Sequence, residues 1–354
     1  MGDNPDSAAP EGLSNDTLQR LGDRADAPVF WPLRLQQRHA LPGLAGSIVA
    51  VSFLLLAWAA AGGLRIAPLD TGQVGEALFF ALSLGLIVEL AALIPRSAQG
   101  DLDALASELT IEQSHIERLK AALIRYQTGD VAVNAAIGLA IGVLHVALLG
   151  SGWAAVSGDP LAIVMALGTV ALWAMMVQTG TLFVANARLF AQLGRSGVRV
   201  EILMLDRLRP FASAALRPML LVMVLLAAYP LMLLGTEGLE ASAAIGPVAT
   251  ALLALAVVWL PLRGLRARIR EARAQQIKRI DAAIADALRA VDKHGVPDHP
   301  QRLEALIGLR NRVLAAPALP VGLGGIGRGL LYLALPVITW GGKGVAEGLL
   351  NWLF

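Results

Sequence analysis

The chain has 354 residues, of which 56% are hydrophobic and 16% are charged, and its mean hydropathy is positive. This composition excludes an ordinary soluble globular protein and indicates a membrane protein with several spans. The net charge of +2 is too small to indicate nucleic-acid binding, and the lack of cysteine excludes disulfides, thiolate metal sites and cysteine nucleophiles.

The chain starts with a polar segment. Residues 1–28 are rich in Asp, Pro and Gly and contain no apolar core, which argues against a cleaved signal peptide. We therefore predict that residues 1–42 form a polar, disordered cytoplasmic tail.

Six stretches of about twenty residues follow, each apolar enough to cross a hydrocarbon core about 30 Å thick. They lie at 44–64, 74–94, 131–152, 161–185, 212–235 and 242–262, so that residues 43–262 are predicted to form a six-helix transmembrane domain.

Basic residues are concentrated after the second, fourth and sixth of these spans. They are Arg96, Arg118, Lys120 and Arg125, then Arg188, Arg195, Arg199, Arg207 and Arg209, then Arg263, Arg266, Arg268, Arg270 and Arg273. The opposite connections contain Arg65 alone. By the positive-inside rule, the N-terminus and the end of the sixth span are predicted to be cytoplasmic.

The predicted cytoplasmic connections have helical periodicity, which indicates cytoplasmic helices over 100–128 and 186–211. After the sixth span no Gly or Pro occurs from Leu265 to His294, so this span is predicted to continue as one long helix. Its apolar stripe, which includes Ile277, Ile280 and Ile284, requires a packing partner. Together with an amphipathic helix at 301–315, it makes residues 263–316 a predicted cytoplasmic anchor region.

Residues 317–354 are predicted to form a Pro- and Gly-rich hinge and a C-terminal transmembrane helix over 330–354, which would place the C-terminus outside. The alternative is a shorter insertion over 330–340 that turns at Gly341 and Gly342. Lys343 and Glu347 are four residues apart and share one helical face. Because charge inside a bilayer is costly, the pair is either a structural clasp between helices or part of a hydrated pathway.

Further polar residues lie within the predicted spans. They are Glu89, Asn134, His145, Gln178, Thr179 and Thr181. Such residues either hold helices together through hydrogen bonds or form a proton relay or ligand site. An apolar pocket near Trp153, Trp173 and Tyr229 is a hypothesis for small-molecule binding.

The sequence contains no metal-ligand pattern, no nucleotide-binding glycine motif and no catalytic constellation. It therefore predicts no metal, no cofactor and no enzymatic activity.

The order of the parts resembles that of the insect odorant and gustatory receptors, a superfamily of seven-transmembrane ion channels. Near the last span that family carries Thr-Tyr, five hydrophobic residues and Gln-Phe. The corresponding segment here is Leu331-Tyr332, the six residues LALPVI, and Thr339-Trp340. This segment is one residue longer than the family pattern and lacks its Gln. The resemblance implies a homotetrameric, ligand-gated cation channel whose last span lines the pore, with Thr339, Lys343 and Glu347 at pore positions.

The sequence thus predicts an all-α integral membrane protein with seven transmembrane helices and long cytoplasmic helical extensions. The leading functional hypothesis is an oligomeric ion channel, whose partners are further copies of the chain, the lipid bilayer and a small-molecule ligand. Two alternatives stay open. One is a secondary transporter that uses Glu89, His145 or the polar cluster of the fourth span, and the other is a non-transporting scaffold or sensor.

Overall fold

The computed structural model describes residues 24–38, 43–62, 70–149, 158–234, 241–294 and 300–317. These residues are helical, with no β-strand among them. The α-helices are α1 (Trp31–Arg38), α2 (Leu44–Ala60), α3 (Thr71–Leu105), α4 (Gln113–Ile124), α5 (Thr128–Leu149), α6 (Pro160–Ser196), α7 (Arg209–Ala228), α8 (Ala241–His294) and α9 (Pro300–Ala315). Short 3₁₀ helices, Ile202–Leu208 and Tyr229–Leu233, flank α7. The all-α prediction is confirmed for this part of the chain.

Within the described residues, four helical stretches are long and apolar enough to cross a membrane. They are Thr71–Leu105, Thr128–Leu148, Pro160–Arg195 and Ile202–Met232. The spans predicted at 44–64 and 242–262 fall on α2, which has only 17 residues, and on the first part of α8. The seventh, at 330–354, lies outside the described residues. By length and composition these four helices are candidate membrane spans, and the other three crossings stay predictions.

Helices α3 and α5 differ sharply in how much of their apolar surface the protein covers. In the apolar window of α3, 67% of the residues are buried, whereas only 11% are buried in α5. The outward side chains of α5 include Val133, Val143 and Leu148, which are 58–70% exposed. Contiguous apolar exposure of this kind is typical of a surface that contacts a membrane. Helix α3 is thus the packed centre of the candidate spans, and α5 lies at their edge.

A second apolar core lies at one end of the long helices, and we term it the helical layer (residues 98–123, 189–214, 265–284 and 309–316). Its fully buried members include Leu102, Leu119, Leu193, Phe211, Leu265 and Val313. The predicted cytoplasmic helices at 100–128 and 186–211 are only partly separate elements, because α3 continues to Leu105 and α6 to Ser196. The same two helices therefore build both the candidate spans and the helical layer.

Charged side chains tie the helical layer together. Asp101 of α3 pairs with Arg217 of α7, and Glu108 accepts a hydrogen bond from Arg207 at 3.1 Å. Lys120 of α4 lies 2.7 Å from an oxygen of Asp103. Hydrogen bonds, first with Asp103 and then with Glu117, raise the pKa of Lys120.

Helix α8 runs without interruption from Ala241 to His294, which confirms the prediction of one continuous helix. Its apolar stripe already has a partner in the same chain. Ile280 is buried in the helical layer together with Val313 of α9, and Arg310 of α9 donates to Asp281 at 2.7 Å. This part of the stripe therefore gives no argument for a second subunit.

The prediction of a disordered tail over residues 1–42 is wrong for residues 24–38. Phe30 and Leu33 are almost completely buried, and the backbone N–H of Phe30 donates to Ile124 at 3.0 Å. The N–H of Tyr126 in turn donates to Pro28 at 3.0 Å. Because apolar burial and backbone pairing both favour order, this stretch packs as part of the fold despite its polar surroundings in sequence.

The assignment of the α8 stripe can be tested with Ile280→Asp. The described core around Ile280 consists of apolar side chains, so a carboxylate buried there should cost at least about 3 kcal/mol in the free energy of unfolding. Unfolding of the purified protein in mild detergent measures this. Leu288→Asp is the matched control, since Leu288 lies on the same helix and is 48% exposed. If both substitutions were tolerated equally, the packing of α9 on α8 would be refuted.

Candidate functional site

Helices α5 and α6 pack against each other through two glycines of α5. A Cβ at Gly138 would lie 2.5 Å from the Cα of Ala174, and one at Gly142 would lie 2.7 Å from the Cα of Val170. No side chain fits at these distances, and the spacing of four residues is that of the small-residue contacts that let membrane helices approach closely. The glycines therefore set the register between the two helices.

Beside this contact, the two helices border a groove with a volume of about 500 Å³, which we term the α5–α6 groove. It is lined by Tyr126, Asn134, Trp173, Met176, Val177, Gly180, Thr181, Val184, Ala185 and Arg188. Most of these side chains are half-buried, so the groove is open along one side. Its apolar wall and few polar groups are typical of a site for an amphipathic molecule.

Thr181, Asn134 and Arg188 differ in whether their polar groups already have hydrogen-bond partners. The hydroxyl of Thr181 is within 2.9 Å of the carbonyl oxygens of Val177 and Gln178, so it is satisfied within its own helix. Asn134 and Arg188, by contrast, form no hydrogen bond or ion pair with any other residue that the structure describes. With respect to the described part of the chain, the groove therefore offers an unpaired amide on α5 and an unpaired guanidinium on α6.

The N-terminal segment supports the end of the groove that contains Tyr126. The Arg24 guanidinium lies 5.3 Å from the centre of the Tyr126 ring and donates to the Asn186 amide oxygen at 2.8 Å. Asn186 in turn donates to Leu123 at 3.3 Å. Burial lowers the pKa of Arg24, yet an arginine remains charged in proteins. This cation–π contact stabilises the position of the Tyr126 ring.

The structure brings some of the sequence-predicted polar residues together and separates others. Asn134 and Thr181 line the groove, and the ring of His145 lies 6.0 Å from that of Trp173. Gln178 accepts a hydrogen bond from the Trp31 indole at 3.0 Å. Thr179 is buried and takes no part in the groove.

Glu89 lies apart from the groove and has a structural role. Its two carboxylate oxygens accept hydrogen bonds from the backbone N–H of Gly46 at 2.7 Å and of Gly43 at 3.2 Å. These groups belong to the start of α2, where N–H groups have no partner within the helix. Gly43 adopts a φ of 85°, which glycine reaches without strain. Glu89 therefore joins α3 to the N-terminus of α2, a role that suits its negative charge.

The other residues predicted from the sequence either lie outside the described residues or do not line the groove. Thr339, Lys343 and Glu347 lie outside the described residues, as does Trp153. Tyr229 packs on Phe79, with ring centres 5.7 Å apart, and does not line the groove with Trp173. The predicted pocket of Trp153, Trp173 and Tyr229 stays a prediction, because Trp153 lies outside the described residues. Among the described residues, no group of three or more His, Asp or Glu side chains could hold a metal ion.

Sequence reasoning did not single out Tyr126, Met176 or Val184 for the groove, and it counted Arg188 only as a topology signal. Helical spacing could have found part of the wall, because Val177, Thr181, Val184 and Arg188 recur at intervals of three and four. The partner helix could not be inferred in this way.

Comparisons with protein-family models, with curated proteins and with solved structures give no match to this chain. The geometry of the described residues therefore carries the functional argument alone.

The α5–α6 contact can be tested with Gly138→Ala. The added methyl group meets the backbone of Ala174, so we expect a loss of about 1–3 kcal/mol in the free energy of unfolding. Gly129→Ala is the control, because nothing lies within 4 Å of a Cβ at that position of the same helix. Thermal unfolding in mild detergent should show a lower transition for Gly138→Ala and an unchanged or higher one for Gly129→Ala. The opposite ranking would contradict the close approach.

A structural role of Glu89 is tested by Glu89→Met and Glu89→Gln. Methionine has a similar length but cannot accept the hydrogen bonds of α2, so we expect a loss of about 2 kcal/mol or more in the free energy of unfolding. Glutamine keeps one carbonyl acceptor and should cost less. If vesicles containing Glu89→Gln had normal stability but lost proton-coupled uptake, Glu89 would instead be a transport residue.

Proposed function

We propose that this chain is a membrane-embedded sensor that binds an amphipathic molecule in the α5–α6 groove and passes its occupancy to the helical layer. The observation that carries the proposal is the continuity of α6. Arg188 lines the groove, and the next residues of the same helix, Leu189 and Phe190, are buried in the core of the helical layer. A shift of α6 at the groove would therefore move side chains of that core directly.

The distribution of basic residues supports a cytoplasmic position for the helical layer. The segments that build it carry the clusters of Arg and Lys after α3, α6 and the first part of α8, and such clusters are retained on the cytoplasmic side. On this proposal the helical layer faces the cytoplasm, where a soluble partner protein can read its state.

The hydrogen bonds of Glu89, Gln178 and Thr181 favour sensing over transport for these three residues. Glu89 binds the start of α2, and Gln178 accepts a hydrogen bond from Trp31. Thr181 is satisfied by its own helix. A transporter needs ionisable groups that exchange partners during its cycle, whereas these groups have structural partners in one packed state.

The oligomeric ion channel, with a tetramer as the expected assembly, stays a proposal that rests on the sequence. Its pore candidates Thr339, Lys343 and Glu347 lie outside the described residues. The packing of α9 on the α8 stripe weakens one of its supports, because that stripe no longer requires another subunit. The charged terminal segment and the resemblance in the order of the parts are the remaining supports.

The sensor proposal is testable with a label in the helical layer. Because the chain contains no cysteine, Leu203→Cys provides a unique attachment point for an environment-sensitive fluorophore, at a side chain that is 54% exposed. In lipid nanodiscs, we expect laurate, lysophosphatidylglycerol or another single-chain amphiphile to change the label's emission. Ala185→Trp should abolish the change by filling the groove.

Val143→Trp is the matched control, because it adds the same ring to the outer face of α5, where Val143 is 58% exposed. It should leave the response intact. A response that survives Ala185→Trp, or its absence with every amphiphile, would refute the sensor proposal. A conductance of the purified protein that is altered by Glu347→Ala would support the channel instead.

A further inference from the structure

We infer that the α5–α6 groove binds an anionic glycerophospholipid of the surrounding membrane, with the phosphate at Arg188 and one acyl chain along Trp173 and Met176. The inference rests on the proposed function, since it names the ligand class of the same groove. It requires that the groove extends from the headgroup region into the hydrocarbon, that its charge favours an anion, and that its polar groups match a phosphoglycerol unit.

The first requirement follows from the position of the groove along α6. Helix α6 begins at Pro160, and at 1.5 Å per residue Trp173 lies about 20 Å and Arg188 about 42 Å from that point. A hydrocarbon core is about 30 Å thick. If α6 starts at one interface, Trp173 lies within the hydrocarbon and Arg188 reaches the headgroups of the opposite leaflet. The groove thus follows the direction of a lipid molecule.

The charge of the groove is set by Arg188. Among the described residues that line the groove, Arg188 alone has an ionised side chain, and it has no partner in the described part of the chain. The half-buried guanidinium of Arg24 lies 5.3 Å from the centre of the Tyr126 ring at the same end. Burial lowers the pKa of Arg24, and the charges of Tyr126 and then Asp130 oppose that lowering. An arginine binds phosphate through two parallel hydrogen bonds. In a zwitterionic headgroup, the bulky cationic trimethylammonium group is repelled by a guanidinium at close range, so an anionic headgroup is favoured.

The other polar groups suit the glycerol and ester part of the lipid. Tyr126 and Asn134 both line the groove, and a phenol hydroxyl and an amide can each donate hydrogen bonds to ester or phosphate oxygens. Met176, Val177 and Val184 provide an apolar wall between Arg188 and Trp173. A free phosphate ion would use the guanidinium alone and leave this wall uncovered.

Native mass spectrometry of the purified protein, titrated with phosphatidylglycerol or phosphatidylcholine of equal chain length, tests the inference. We expect tighter retention of phosphatidylglycerol, and a loss of about tenfold in its affinity for Arg188→Gln, as for one charge-assisted contact. Arg188 is exposed, so the variant should fold. Arg302→Gln, which removes the same charge from an exposed position of α9, is the control and should bind as the parent does.

The position of the acyl chain is tested separately. Phosphatidylglycerol brominated on its acyl chain should quench a component of the tryptophan fluorescence that is missing in Trp173→Phe. Equal retention of both lipids by the parent, an unchanged preference in Arg188→Gln, or quenching that is unaffected by Trp173→Phe would each overturn the inference.

The two proposals can fail independently. If the label at position 203 responds to laurate while phosphatidylglycerol shows no preference, the sensor proposal stands and the lipid class is wrong. If phosphatidylglycerol binds through Arg188 while the label never responds, the lipid site stands and the sensing function is wrong.

Discussion

The length of α3 and α6 relative to the bilayer is the constraint on which the rest of the structure depends. With 35 and 37 residues, they extend for about 50 and 55 Å, whereas a hydrocarbon core is about 30 Å thick. A helix of this length that crosses the hydrocarbon core extends beyond it, and the apolar side chains of the excess then need a second core. The helical layer provides it, since Leu102, Leu105 and Leu193 are fully buried there. Helices α3 and α6 therefore each connect the candidate spans to the helical layer as one continuous helix.

Close backbone contacts within the spans complement this arrangement. Gly138 and Gly142 let α6 approach the backbone of α5 closely. Helices α2 and α3 approach each other in a similar way, since a Cβ at Gly85 of α3 would lie 2.7 Å from the carbonyl oxygen of Gly46 of α2. Since lipid supplies no hydrophobic force between helices, dispersion contacts at such short range hold them together. Helix α5 depends on this contact most, because the protein covers little of its remaining surface. The groove lies along the same pair of helices.

The polar residues of the spans divide into those that stabilise the fold and those that stay available. Glu89 and Gln178 bind groups of other elements, α2 and α1 respectively. Asn134 and Arg188 face the groove with no described partner. An uncompensated polar group is costly at membrane depth, so such a group is favourable only where water or a ligand reaches it. We therefore place the candidate function at the groove and not at the other polar positions.

The sequence by itself determined the all-α class of the described residues, the positions of four apolar helices and the unbroken course of α8, because these depend on local composition and on helical periodicity. It did not determine which polar residues share a site, since Asn134 and Thr181 meet only through the packing of α5 on α6. Nor did it show that residues 24–38 are ordered, because their hydrogen bonds reach Ile124 and Asn186, far along the chain. Nor did the sequence identify α9 as the packing partner of the α8 stripe that contains Ile280. Tertiary structure decided these points because each depends on contacts between distant segments, which periodicity within one segment cannot encode.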